Sequence, residues 1–349
     1  MRFMIFLFAL LSSVAWAAPS SVAILQYHHI GDDTPRVTSV TAEELEAHFA
    51  WLKENNFTVL SLAEIQQRFE NGESVPEYTA AITIDDGWRN VYREGLEVFK
   101  KYNYPFTIFV NPKLMREASS QYMGWEQLRE LQKYGAHIAN HSNSHWHMTW
   151  RHQDETGQAW RERVLADVLD AQAEIDEQLG EQPRQFAYPY GEYDVALEEM
   201  LAEHGFIAFG QHSGPWTQHS PSTAIPRFPA SAQYANLESL ATKLKSLGLP
   251  LVSAEPKAML VAPDEVTPSF RVEVTSIDDF NPNQMNCFAG GDVLQPQWEG
   301  NTFTVQLIKE LPVGRSRVNC TVPSLSQQGR FYWYSHPFIR ADQKGRWPD

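Results

Sequence analysis

The composition of this 349-residue chain is that of a globular protein, with 43% hydrophobic and 20% charged residues, which is too apolar for a disordered chain. Its 28 basic residues are outnumbered by 43 acidic residues, which gives a formal net charge of −15. This charge argues against nucleic acid or an anionic membrane surface as a partner, because both attract a basic face. A neutral substrate fits better, and the acidity by itself is explained by solubility.

The first residues have the order of a signal peptide. Arg2 precedes an apolar run at residues 3–14, which is followed by Ala-Trp-Ala at residues 15–17. This order of charge, apolar run and small residues predicts cleavage after Ala17 and an exported protein, periplasmic or extracellular. The alternative is an uncleaved anchor, although the run is short for a bilayer and no later stretch reaches the roughly 20 apolar residues required.

Strand and helix patterns alternate from residue 21 to about residue 249. Short apolar runs predict strands and amphipathic runs predict helices, and Thr41 and Glu44 have the spacing of a capping box. The predicted strands are Val22–Tyr27, Thr58–Leu60, Ala80–Ile84, Phe106–Val110, Gly135–Asn140, Phe186–Tyr188 and Phe206–Phe209. The predicted helices are Thr41–Asn55, Trp88–Tyr102, Gly157–Leu179 and Asp194–His204.

This alternation predicts an α/β fold with a parallel sheet, either open or closed into a barrel. Neither G-x-G-x-x-G nor G-x-x-x-x-G-K-[ST], the two glycine-rich nucleotide-binding motifs, occurs at the start of a predicted helix. The sequence therefore does not favour a nucleotide-binding sheet. An irregular (β/α) barrel is the better prediction, and in such barrels the chemistry lies where the strands end.

The pattern changes beyond Pro250. Short alternating runs separated by turn residues predict a small β-sandwich at residues 258–349, after a barrel domain at 18–249 and a linker at 248–256. The predicted sandwich strands are Phe270–Thr275, Phe303–Ile308, Arg317–Val322 and Arg330–Tyr334. The chain has two cysteines, Cys287 and Cys320, which predict one disulfide in an oxidising compartment. Its closed loop would add roughly 3–4 kcal/mol of stability.

Two carboxylates follow the third predicted strand. Adjacent side chains on a strand point to opposite faces, but Asp85 and Asp86 stand at the strand's end before Gly87, where both can turn toward one cavity. One could then bind a metal ion while the other serves as a base. The alternative is an Asp-Gly turn that caps the next helix, and the motif taken alone favours that alternative.

Two histidines follow the fifth predicted strand. His141 and His145 are four residues apart, a spacing that presents ring nitrogens on one side of a helical turn and is typical of zinc chelates. The alternative is a solvated, histidine-rich loop. With Asp86, however, they make a set of two imidazoles and one carboxylate that leaves positions open for water and substrate. Zinc is the default metal for such a set, and nickel, cobalt or iron also accept these ligands.

Two further segments stand at strand ends. Residues 188–191, Tyr-Pro-Tyr-Gly, predict a turn that exposes backbone N–H groups, as an oxyanion site requires, although an ordinary structural turn explains them equally well. His28 and His29 end the first strand. A histidine there has a pKa suited to proton donation near neutral pH, but a histidine pair alone is weak support.

Together these segments resemble the polysaccharide deacetylase family, which shares the chitooligosaccharide-deacetylase homology domain. The family motif T-[FI]-D-D-G matches Thr83–Gly87, and H-[ST]-x-x-H is similar to His141–His145. An aromatic segment ending in Pro-Tyr-Gly matches Phe186–Gly191. The resemblance covers residues 22–249 and implies a metal-dependent hydrolase that removes N-acetyl groups from an amino-sugar polysaccharide or oligosaccharide.

The resemblance also implies a role for each residue. Asp85 would be the general base, and the backbone N–H of Tyr190 would help to bind the oxyanion. The metal ion would be held by three side chains, which are Asp86, His141 and His145.

The chain departs from the family pattern at two places. The third motif often carries an arginine that holds the base, whereas this chain has Ala187, and Arg227 is the predicted substitute. Many members supply the acid from a late Leu-x-His motif, which is absent before the linker. His28 is therefore the predicted acid, with His29 as the second choice. This arrangement resembles the permuted form of exported poly-N-acetylglucosamine deacetylases from biofilm systems.

Three other functions stay open at the level of the sequence. The chain could be a polysaccharide O-acetyl esterase, or a glycan-binding protein on the same fold with little turnover. It could also be a structural envelope protein, although that reading leaves the carboxylate and histidine sets unexplained. The C-terminal part could bind glycan or only brace the barrel.

Overall fold

The computed structural model of the chain describes residues 20–348. The predicted signal peptide and its cleavage point lie outside these residues. Within them, no helix combines the length and the apolar character that crossing a membrane requires.

A parallel sheet surrounded by helices forms the first part of the structure. Its longest strands are buried along their whole length, as expected where helices and loops cover both faces of a parallel sheet. The strands are β1 Val22–Tyr27, β2 His29–Ile30, β3 Ser39–Val40, β4 Thr58–Val59, β5 Thr79–Ile84, β6 Phe106–Val110, β7 Ala136–Asn140, β8 Gln185–Ala187, β9 Ile207–Phe209 and β10 Phe228–Pro229. The helices are α1 Ala42–Glu54, α2 Leu62–Glu70, α3 Arg89–Tyr102, α4 Pro112–Glu117, α5 Trp125–Gln132, α6 Gly157–Leu179, α7 Val195–Glu203 and α8 Leu237–Leu244.

The sheet has the strand order β10-β1-β5-β6-β7-β8-β9, with β4 also paired to β5. Its two edges are joined by one segment, residues 225–229. Ile225 pairs with Phe209 at the end of β9, and β10 pairs in parallel with β1. The sheet therefore curls into the irregular α/β barrel that the sequence predicts. Arg227 lies between these two pairings.

The predicted elements agree closely with the observed ones. The bounds of β1, β6 and α6 are reproduced residue for residue. Helix α1 follows Thr41, whose side chain forms the predicted capping box with Glu44. The sequence does not predict α2, α4, α5 and α8, which are six to nine residues long, too short for a helical period to stand out.

The C-terminal part contains two mostly antiparallel sheets that pack on one core. One sheet has the order β11-β20-β19-β15-β16 with β13 paired to β20, and the other has the order β12-β14-β18-β17. Side chains of both sheets, such as Phe270 and Val318, share a buried cluster, so the predicted β-sandwich is confirmed. The strands are β11 Leu247–Gly248, β12 Leu251–Glu255, β13 Leu260–Val261, β14 Ser269–Val274, β15 Asn286–Ala289, β16 Asp292–Leu294, β17 Gln297–Glu299, β18 Thr302–Gln306, β19 Gly314–Pro323 and β20 Phe331–Arg340.

The predicted disulfide is present. Cys287 on β15 is bonded to Cys320 on the neighbouring strand β19. The prediction of a linker at residues 248–256 is wrong, because β11 pairs with β20 and β12 pairs with β14. The backbone of this segment is tied into the C-terminal sheets. The domain limits 18–249 and 258–349 stay predictions.

Candidate active site

The carboxyl ends of the barrel strands bring the predicted site residues to one region. His28 follows β1, the Asp85-Asp86 pair follows β5, and His141 follows β7, while Tyr190 is the third residue after β8. Because the strands are parallel, these ends lie on one side of the sheet, which is where such folds place their chemistry.

Three side chains converge at this end of the barrel. Asp86 Oδ1 lies 3.2 Å from Nε2 of His141 and 3.2 Å from Nε2 of His145, and the three possible ligand atoms lie within 4.8 Å of one another. Burial raises the pKa of the Asp86 carboxyl, but the two imidazoles lower it further, so this pKa lies well below its usual range. The carboxylate is therefore ionised at neutral pH.

The hydrogen bonds around this cluster fit a bound cation. His141 Nδ1 lies 2.7 Å from the carbonyl oxygen of Ala187. Because a carbonyl only accepts, Nδ1 donates this hydrogen bond, and Nε2 faces Asp86, the orientation of a metal-ligating histidine. Asp86 Oδ1 is buried and accepts no hydrogen bond from the described residues. A buried carboxylate oxygen with two imidazole nitrogens beside it is a donor set that suits a divalent metal ion.

The neighbouring carboxylate, Asp85, is held by Arg227. Nη1 of Arg227 donates to Oδ1 at 2.7 Å and Nη2 donates to Oδ2 at 2.8 Å, and both side chains are 0% exposed. Gln26 Nε2 donates to Oδ2 at 2.8 Å. Burial raises the pKa of Asp85, but the guanidinium and the nearby histidines outweigh this effect, and the net shift is downward. Asp85 is thus a buried carboxylate that stays ionised.

The two histidines after β1 contact different groups. His28 Nε2 lies 3.8 Å from Asp85 Oδ2, and its side chain is partly exposed. The ring of His29 stacks on Trp88 with centroids 4.5 Å apart, and its Nδ1 lies 3.2 Å from the amide nitrogen of Asn90. Burial lowers the pKa of His29. Of the pair, His28 is the residue that lies beside the candidate base.

Tyr190 occupies a tight turn with a left-handed backbone, at φ 60° and ψ 2°. Gly191 follows at φ 71°, and a Cβ there would lie 2.6 Å from the side chain of Gln211, so only glycine fits. The Tyr190 ring packs edge-on against His145, with centroids 4.6 Å apart. The turn therefore lies directly against one of the candidate metal ligands.

The two candidate ligand histidines are carried by a loop, and the prediction of a helical turn between them is wrong. Ser142 and His145 have left-handed backbones at φ 66° and 52°. The loop is held because Ser142 Oγ accepts from the His145 N–H at 2.9 Å, while Asn111 Nδ2 donates to the carbonyl of Ser142 at 3.1 Å. Such backbone strain, about 1–3 kcal/mol per residue, is typical of functional sites.

The part of the chain that carries these residues is similar to known proteins. The sequence profile described as polysaccharide deacetylase matches residues 72–209. This segment is a polysaccharide deacetylase domain. Over 254 residues the chain is 25% identical to the poly-beta-1,6-N-acetyl-D-glucosamine N-deacetylase of Escherichia coli (strain K12), covering 63% of this chain and 38% of that relative. The chain therefore spans less than half of that relative's length.

Two solved structures show the same fold. The Streptococcus pyogenes deacetylase PplD, solved in complex with acetate, is 19% identical with a TM-score of 0.59, covering 65% of this chain and 99% of that one. The structure of IcaB from Ammonifex degensii is 21% identical with a TM-score of 0.56, covering 66% of this chain and 99% of that one. At this identity the likeness concerns the fold of the deacetylase domain.

Some contacts in the deacetylase domain were not predicted from the sequence. Trp88 Nε1 donates to Asp86 Oδ2 at 2.8 Å, and its ring stacks on Tyr122 with centroids 4.4 Å apart. The sequence suggests sugar stacking or core packing for Trp88 and for Trp216, and Trp216 is a core residue packed on Phe209. Gln26 is also missed, because an amide inside an apolar strand carries no signal of its partner.

Proposed function

We propose that this chain is an exported, divalent-metal-dependent deacetylase that hydrolyses the N-acetyl groups of a poly-N-acetylglucosamine-type glycan. The supporting observation is that an ionised, arginine-held Asp85 lies next to the three-ligand set of Asp86, His141 and His145 within a polysaccharide deacetylase domain. The name of the Escherichia coli relative supports an amino-sugar substrate. The signal-like residues 1–17 support export.

The proposed metal ion would be held by Asp86, His141 and His145. When bound, such an ion supplies Lewis-acid polarisation of a carbonyl and lowers the pKa of water. Zinc is the first candidate for two imidazoles and one carboxylate, and nickel, cobalt and iron are the others to test.

The remaining steps belong to the protein's own groups. Asp85, kept ionised by Arg227, takes a proton from the water that attacks the acetamide carbon. The backbone N–H of Tyr190 donates to the oxyanion that develops. His28, 3.8 Å from Asp85, then gives a proton to the amide nitrogen as the C–N bond breaks. The products are acetate and the free amino sugar.

The test is acetate release from β-1,6-linked N-acetylglucosamine oligomers by the purified protein, before chelation, after chelation and after zinc is restored. Asp85→Asn should lower kcat by about 10²–10⁴-fold while zinc still binds, and His141→Ala should lose both activity and zinc. Matched controls are Asp264→Asn and His219→Ala, because both side chains are exposed. Wild-type activity in Asp85→Asn would refute the assignment of the base.

Parallel assays separate the alternatives. Acetate release from acetylxylan without release from the N-acetylglucosamine oligomers would identify an O-acetyl esterase. Binding of the oligomers without acetate release, whatever metal is supplied, would identify a glycan-binding protein. Either result would overturn the proposed N-deacetylase.

A further inference from the structure

A buried set of contacts connects the C-terminal region to the turn that holds Tyr190. Glu192, two residues after Tyr190, is 0% exposed. Its Oε1 accepts from Arg315 Nη1 at 2.8 Å and from Trp347 Nε1 at 2.6 Å, and its Oε2 lies 2.7 Å from His147 Nδ1. A buried carboxylate is costly unless it is paired and hydrogen-bonded, so these partners keep Glu192 in place.

His147 contacts both Glu192 and Tyr190, and so connects them. One face of the His147 ring stacks on the Tyr190 ring, with centroids 4.0 Å apart and planes within 6°. The ring also stacks on Trp150, at 3.8 Å and 10°. Because Nδ1 is tied to Glu192, the His147 ring cannot turn without breaking that bond. The position of the Tyr190 ring is therefore coupled to Glu192 from two directions, along the chain and through the stack.

The two C-terminal partners come from distant parts of the sequence. Arg315 is 123 residues and Trp347 is 155 residues from Glu192. The guanidinium of Arg315 also lies 5.4 Å from the centre of the Tyr190 ring, within the range of a cation–π contact. The left-handed backbone of Tyr190 is a conformation that persists only where the surroundings enforce it.

We propose that Arg315 and Trp347 are positioning residues that hold the Tyr190 turn through Glu192 and His147. The C-terminal region is then required for turnover by the barrel, beyond any role in glycan binding or folding. The kinetic part of this inference rests on the proposed deacetylase function, whereas the structural part does not.

The kinetic test uses Arg315→Gln and Trp347→Phe in the full-length, zinc-loaded protein. Trp347→Phe keeps an aromatic ring beside Trp150, 5.6 Å away in the wild type, and removes the N–H donor together with part of the indole. We expect kcat to fall about 10-fold or more, because small displacements of catalytic groups cost up to about 10²-fold, while KM changes by less than about twofold, as expected when an interaction made only in the transition state is lost. Arg315→Lys, which restores a positive donor, should recover most of the activity.

Two matched controls report the effect of losing an arginine or an indole elsewhere in the same region. Arg330 also joins the C-terminal part to the barrel, through the Lys245 carbonyl and Glu77. Trp298 has a buried Nε1 without a partner among the described residues. Arg330→Gln and Trp298→Phe should keep wild-type kcat. An equal fall of kcat in these controls, or unchanged kcat in both test variants, would overturn the inference.

Hydrogen exchange provides a readout that does not need turnover. The amides of residues 188 and 190–192 should exchange faster in Arg315→Gln and Trp347→Phe than in the wild type, and should be unchanged in the two controls. If the wild type releases no acetate but exchange responds in this way, the proposed function fails and the structural link stands. If exchange does not respond, the link is refuted whatever the activity.

Discussion

Breaking the buried ion pair between Arg227 and Asp85 should lower the stability of the protein by a measurable amount. Both side chains are fully buried, and two charge-assisted hydrogen bonds of 2.7 and 2.8 Å join them. Arg227→Met keeps an unbranched apolar stem but removes the guanidinium, and it leaves Asp85 with Gln26 as its remaining close donor. Breaking one partner of a buried pair costs about 3–5 kcal/mol, because the other charge stays buried. We expect a loss of that size.

Urea unfolding followed by tryptophan fluorescence measures this loss. Asp85→Asn in the Arg227→Met background removes the uncompensated charge, so the double variant should be more stable than the sum of the single losses predicts, by about 1–3 kcal/mol. The control is Arg93→Met, since Arg93 pairs with Asp33 at an exposed site, where pairs contribute about 0–1 kcal/mol. A loss below about 1 kcal/mol for Arg227→Met, or strict additivity in the double variant, would refute this reasoning.

Three further predictions concern pH, the disulfide and the metal. Burial raises the pKa of Glu198 from 4.5 to about 7, so the folded chain binds this proton more tightly than the unfolded chain, and stability falls as pH rises between those values. Glu198→Gln should flatten that fall, which urea unfolding at about pH 5 and about pH 8 measures. Replacing Cys287 and Cys320 by serine should cost roughly 3–4 kcal/mol in urea unfolding, as loop closure predicts; no change would contradict that estimate. Trp88→Phe should weaken zinc binding about 10-fold in calorimetry, because Trp88 orients Asp86, and unchanged affinity would exclude that role.

The sequence predicts those parts of the fold that depend on local pattern. A run of six buried residues, five of them apolar, defines β1, and the Thr41–Glu44 spacing defines the start of α1. Candidate metal ligands at strand ends are predicted for the same reason, since parallel strands bring their carboxyl ends together. The His141–His145 loop is not predicted, because left-handed backbones at Ser142 and His145 depend on contacts from other elements, such as Asn111.

The contacts of Glu192 are a second feature that the sequence does not predict. Glu192 follows the Pro-Tyr-Gly motif directly, yet nothing near it in the sequence indicates that its carboxylate is buried. Its donors on the C-terminal region lie more than a hundred residues away, and pairings at that distance are set by how the two parts of the chain pack. A local pattern can predict that Trp347 is apolar and needs a partner for its N–H, but not which acceptor it reaches.

The position of Arg227 depends both on a local sequence pattern and on packing between distant parts of the chain. Its segment, Ile-Pro-Arg-Phe-Pro at residues 225–229, cannot form a regular strand, because proline lacks the N–H that a ladder requires, and only short pairings with β9 and β1 remain. The segment therefore has no strand signal, although it joins the edges of the barrel. Once it lies there, Arg227 is buried, and a buried guanidinium is tolerated only beside an anion. The sequence contains 43 acidic residues, and closure of the barrel brings Arg227 to one of them, Asp85. The same irregular segment therefore joins the edges of the sheet and keeps the candidate base ionised.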